Sequence, residues 1–212
     1  MLDKKFILYL SVFLLWLFNI SGIIGILNPA YSDWFLSLTP VNLLLTFIIL
    51  VVNIKEKFRF NLIIAFAIPF LLGFITEALG VNLGWIFGTY AYGENLGFKL
   101  IGVPLMICIN WAVLTAITAD IAKYISKNIW ISAFIGATLM TLLDIVIEVS
   151  APRFDFWEFE NGIVPLQNYF GWLGTAFVAH LGYQYFKVKT NRLISLHIFI
   201  TMVIFFSVFL FF

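Results

Sequence analysis

The chain has 212 residues, 63% of them hydrophobic and only 11% charged, with a formal net charge of +1 and a mean hydropathy of +1.05. Those values lie far outside the range of a soluble globular domain and point to an integral membrane protein in contact with lipid. No run of Lys and Arg is dense enough to follow phosphates, which excludes nucleic acid as a partner.

A bilayer-spanning helix needs about 20 mainly apolar residues. Seven stretches fit: 6–27, 34–52, 60–79, 100–119, 130–147, 169–186 and 193–212. The first follows MLDKK, is too long for a signal-peptide core and lacks a small-residue cleavage site, so it reads as a retained span. In this arrangement ten basic residues share one side: Lys4, Lys5, Lys55, Lys57, Arg59, Lys123, Lys127, Lys187, Lys189 and Arg192. Only Lys99 and Arg153 fall on the other side. The expected fold is therefore an all-α bundle of about seven transmembrane helices with the N-terminus cytoplasmic and the C-terminus outside. It forms a single polytopic domain over 1–212, placed in a bacterial cytoplasmic membrane. Cys108, the lone cysteine, sits in an apolar run, forms no intrachain disulfide and reads as core.

The outer connections 80–99 and 148–168 are rich in rings and are expected to fold back onto the bundle or lie in the interface, where Trp and Tyr are at home. Pro69 and Pro104 fall inside spans and are expected to kink them, opening space between helices.

Ionisable groups within the hydrocarbon region are functional candidates. Asp144 and Glu148 are four residues apart, hence on one helix face, and Thr141 extends that face. The structural alternative is that both acids cap loop backbone or reach the interface. Glu77, in FITEALG, joins them if the third and fifth spans touch. Asn110 and Trp111 lie mid-span, where an interhelical hydrogen bond and a packed ring are the alternative to chemistry. His180 suits a proton relay or a hydrogen-bonded structural role. His197 adds little, and the two histidines form no metal motif. A retinal protein needs a lysine inside a helix, normally the last, and 193–212 has none.

In order along the chain, TEALG at 76–80, FGTYAYG at 87–93, GVPL at 102–105 with Asn110 and Trp111, Asp144 with Glu148, then FWEF and VPLQNYFGW resemble the membrane carotenoid 1,2-hydratases. That family includes lycopene, gamma-carotene and bisanhydrobacterioruberin hydratases. The resemblance covers roughly 60–186; one departure is Val149 after Glu148, where members often carry proline. It implies addition of water to the terminal double bond of an acyclic carotenoid, without redox cofactor or metal, beside other carotenoid-pathway membrane enzymes. Protonating an unactivated alkene requires a carboxylic acid that stays protonated, which burial favours. The resemblance then implies Asp144 as proton donor and Glu148 or Glu77 as the group that orients and deprotonates water, with Asn168 holding it. The faces of Tyr90, Tyr92, Trp111, Trp157 and Trp172 would steady a tertiary cation. Three alternatives stand beside this: a carotenoid-end cyclase, a small proton-coupled carrier using Glu77, Asp144 and His180, and a non-catalytic carotenoid-binding subunit.

Overall fold

The computed structural model describes residues 3–55 and 59–212. These include eight α-helices: α1 (Lys4–Leu27), α2 (Ser32–Ser37), α3 (Thr39–Val52), α4 (Phe60–Leu83), α5 (Leu105–Ile125), α6 (Ile129–Glu148), α7 (Leu166–Tyr185) and α8 (Arg192–Val208). Four short strands, β1 (Tyr90–Tyr92), β2 (Lys99–Leu100), β3 (Val103–Pro104) and β4 (Trp157–Phe159), lie in the connections. Four helices, α1, α4, α5 and α6, are long and apolar enough to cross a membrane. On α1 the exposed residues Phe6, Tyr9, Phe13, Leu17, Ile20 and Ile24 recur every three or four positions, an outward apolar stripe suited to lipid. The protein is an all-helical integral membrane protein.

The expected count of seven spans is corrected here. The stretch 34–52 is broken at Leu38 between α2 and α3, because Pro40 lies at the start of α3, where its missing N–H is tolerated. That leaves α3 with 14 residues. At 1.5 Å per residue this is about 21 Å, short of the roughly 30 Å hydrocarbon core. Helix α8 has 17 residues. Helix α7 has 20, but Gln167, Asn168, His180 and Gln184 lower its hydropathy. Pro104 also departs from expectation: it precedes α5 rather than kinking it, with φ −65° suited to a helix start. Residues 99–104 form a β2–β3 hairpin turned by Ile101 and Gly102, both at positive φ. Pro69 does lie within α4.

Helix α5 is the axis of the bundle, packed against α3, α4, α6, α7 and α8. Ala112, Ala116, Ala119 and Ala122 on α5 are buried, and such small side chains let neighbouring backbones approach. Helix α1 packs on α8. At one end, Lys55 N–H donates to the Lys189 carbonyl at 3.0 Å, and the Arg192 guanidinium lies 3.5 Å from the Tyr124 ring centroid. Basic connections thus gather there; Lys57 lies outside the described residues. At the other end the two ring-rich connections fold back onto the bundle and pair. Strand β1 runs antiparallel to β4, with Tyr90 opposite Phe159 and Tyr92 opposite Trp157. Gly93 N–H donates to the Phe156 carbonyl at 2.9 Å, and Glu94 N–H to Asp155 Oδ2 at 2.7 Å.

Candidate functional site

Helix α6 delivers Asp144 and Glu148 one turn apart, both buried. Asn168, in the first turn of α7, reaches both: its Nδ2 donates to Asp144 Oδ2 at 3.1 Å and to Glu148 Oε1 at 2.9 Å. From β4, Trp157 Nε1 donates to Glu148 Oε2 at 2.9 Å. Asp144 Oδ1 is buried and has no hydrogen-bond partner among the described residues.

Glu77 comes from α4 and is held differently. Trp111 Nε1 donates to its Oε1 at 2.9 Å, while the hydroxyls of Tyr92, at 2.7 Å, and Tyr90 donate to Oε2. Burial first, and then the Glu77 charge, push ionisation of both tyrosines well above the ordinary phenol range. Both remain neutral donors as a result. Gly80, one turn beyond Glu77, makes room for this contact, since a Cβ there would lie 2.7 Å from Tyr90 Oη.

The three acids and Asn168 face a cavity of about 30 Å³, walled by Phe87, Tyr90, Tyr92, Trp111, Trp157, Phe159 and Trp172. Trp111 and Trp172 stack with centroids 4.4 Å apart and planes 13° from parallel. The volume accommodates water, which needs about 10–15 Å³ by this measure. Carboxyl groups able to exchange a proton thus meet a water-sized space and electron-rich rings that stabilise positive charge.

Of the residues singled out from sequence, Glu77, Tyr90, Tyr92, Asn110, Trp111, Asp144, Glu148, Trp157, Asn168 and Trp172 all line this cavity. His180 does not: it is fully buried, with Nε2 2.9 Å from Thr118 Oγ1 and Nδ1 2.7 Å from the Ala176 carbonyl. Thr141 bonds back to the Ala137 carbonyl, and His197 Nδ1 accepts from Trp16 Nε1 at 3.1 Å. Phe87 and Phe159 escaped the sequence reading although both lie in the aromatic motifs that flank the site. Asp120, also not singled out, accepts from Ser195 at 2.6 Å and from Thr190.

The profile of a family described as carotenoid biosynthesis protein matches residues 38–212. Bisanhydrobacterioruberin hydratase from Haloarcula japonica is 32% identical over 117 residues, which is 51% of this chain and 40% of that protein. The chain thus matches less than half the length of this relative. No solved structure matches the chain.

Proposed function

We propose that this chain, which belongs to the carotenoid biosynthesis protein family, is a hydratase that adds water across the terminal double bond of an acyclic carotenoid. The observation that carries this reading is Asp144, which lines an aromatic cavity with room for water and keeps one carboxyl oxygen, Oδ1, buried without a partner among the described residues. The hydratase name of the archaeal relative supports it.

Asp144 carries the proton. Its transfer to the less substituted alkene carbon leaves a cation at the tertiary carbon, flanked by the Trp111–Trp172 stack. A water then forms the new C–O bond, and its proton passes to a carboxylate, giving a tertiary alcohol. Glu148 suits that last step better than Glu77, because Asn168 Nδ2, donating to both, holds it beside Asp144, close enough for a water between the two acids to return the proton to Asp144. Glu77, its two oxygens held by three donors, is fixed in place in the same cavity wall, where its carboxyl dipole is set opposite the developing cation. The basic end of the bundle faces the cytoplasm and the carboxylate end, where Arg153 Nη2 donates to the Phe209 carbonyl at 2.6 Å, faces outward.

The test is pigment analysis by liquid chromatography and mass spectrometry in hosts making lycopene or gamma-carotene. A product heavier by one water, absent with Asp144→Asn, is expected. A product of unchanged mass but altered retention would mean cyclisation, and unchanged pigment from both hosts would remove these substrates.

A further inference from the structure

A cavity of about 30 Å³ holds a water but not a branched hydrocarbon end, so a substrate needs more space than the acids themselves enclose. That space adjoins it. A second cavity of about 90 Å³ shares Ile107, Asn110, Ile147 and Trp157 with the first. A third, of about 310 Å³, shares Thr39, Asn42 and Phe205 with the second. The outer lining of the third includes Leu17, Phe18, Trp34 and Val41, all exposed on the lipid side of α1, α2 and α3. The three spaces therefore lie in series, with carboxylates at the inner end and lipid at the outer.

Resting on the hydratase reading, we infer that the second and third cavities hold the unreacting polyene chain of the substrate. It enters sideways from the bilayer between α1 and α3, so that only its terminal group reaches Asp144. The lining suits a hydrocarbon. Leu43, Val113, Ile198, Met202 and Phe206 supply apolar walls. The polar side chains among them are largely occupied by their own helices: Asn19 bonds to the Leu15 carbonyl at 2.8 Å, Thr46 to Asn42 at 2.9 Å and Thr201 to His197 at 2.9 Å. Their donors are satisfied and do not demand a polar guest. Volume alone does not make a route, because a larger groove of about 550 Å³ between α3, α4 and α5 shares no lining residue with the acid cavity. Shared walls with the acid cavity select the α1–α3 side.

The test uses the full chain in detergent with lycopene as the probe. Thr201→Cys in the second cavity and Gly22→Cys in the third are treated with N-ethylmaleimide, with Ile63→Cys in the larger groove as control; the native Cys108 lines none of these cavities. Lycopene should slow labelling at 201 and 22 and leave 63 unchanged. Failure of either cysteine to label without lycopene, absence of protection, or protection confined to 63 would overturn the route. Assaying hydration by the same protein separates the two readings: protection without a hydrated product removes lycopene hydration and keeps the route, while a hydrated product without protection removes only the route. Asn42→Phe, which fills the junction between the second and third cavities, should lower lycopene hydration at least about tenfold; full activity in a folded Asn42→Phe protein would also overturn it.

Discussion

Asp120 on α5 and Asp144 on α6 are both aspartates within spanning helices, yet their surroundings differ. Asp120 Oδ2 accepts two hydroxyls, from Thr190 and Ser195, and so ties α5 to the connection before α8 and to α8 itself. Asp144 Oδ2 accepts from Asn168, its Oδ1 is buried with no partner among the described residues, and the residue lines the acid cavity. A carboxylate in a membrane helix is thus not in itself a reactive site; an adjoining water-sized space and its ring walls distinguish the second from the first.

The largest expected effects separate these two acids. Asp144→Asn should lower hydration by about 10²–10⁴-fold, the usual contribution of a positioned general acid, with the protein still in the membrane. Asp120→Ala should leave turnover unchanged while lowering stability by about 1–3 kcal/mol, the cost of stranding buried hydroxyls. Product analysis and thermal unfolding in detergent check both. Loss of activity in Asp120→Ala at unchanged stability would erase the distinction.

Next in size is the bridge between the acids. Asn168→Leu removes the donor from Asp144 Oδ2 and Glu148 Oε1 together. Turnover should fall about 10- to 100-fold, as is typical when a supporting hydrogen bond of a reactive group is lost. Asn168→Gln, which keeps an amide, should recover part of it. Equal activity in Asn168→Leu would show that the acids work without their link.

A smaller effect tests the ring wall. A Cβ at Gly73 would lie 2.5 Å from Trp111 Cγ, so Gly73→Ala must displace the ring that both donates to Glu77 and stacks on Trp172. Its cost should be about 1–3 kcal/mol of overpacking, with reduced turnover. Gly174→Ala on α7 meets nothing within 4 Å and should be neutral or stabilising by up to about 1 kcal/mol, since alanine favours helix. Parallel melts and turnover of the two variants decide whether the Trp111 position matters.

Much of the site was legible because its parts follow local rules. The four-residue spacing of Asp144 and Glu148 fixes a shared face whatever surrounds it. Asn168 and the rings were found through short ordered motifs rather than periodicity. What holds Glu77 was not legible: Tyr90 and Tyr92 reach it only because β1 pairs with β4, a contact between segments more than 60 residues apart in sequence. The span count failed for physical reasons that composition hides. Pro40 marks a helix start inside an apolar run, and residues 99–104 turn as a hairpin before α5 begins. Asp120 went unnoticed because an acid one turn from Lys123 resembles the charged end of a span. His180 was conspicuous as a residue type, but its position beside Thr118 rather than the cavity depends on how α5 meets α7.

The smallest effect contrasts the two ends of the bundle through alkaline stability. In the folded protein, burial and the Glu77 charge raise ionisation of Tyr90 and Tyr92 above the ordinary phenol value of about 10. Above that pH the unfolded chain releases these protons while the native protein keeps them, so the native state binds more protons and stability falls as pH rises. Each retained proton contributes up to about 1.4 kcal/mol per pH unit to that slope. Below about pH 9 neither phenol contributes any slope. Tyr92→Phe should flatten the decline between about pH 10 and 11, whereas Asp120→Ala, at the opposite end, should leave it unchanged. Thermal melts in detergent across that range measure both. An unaltered slope in Tyr92→Phe would mean that the folded protein does not hold this phenol neutral, against its burial beside Glu77.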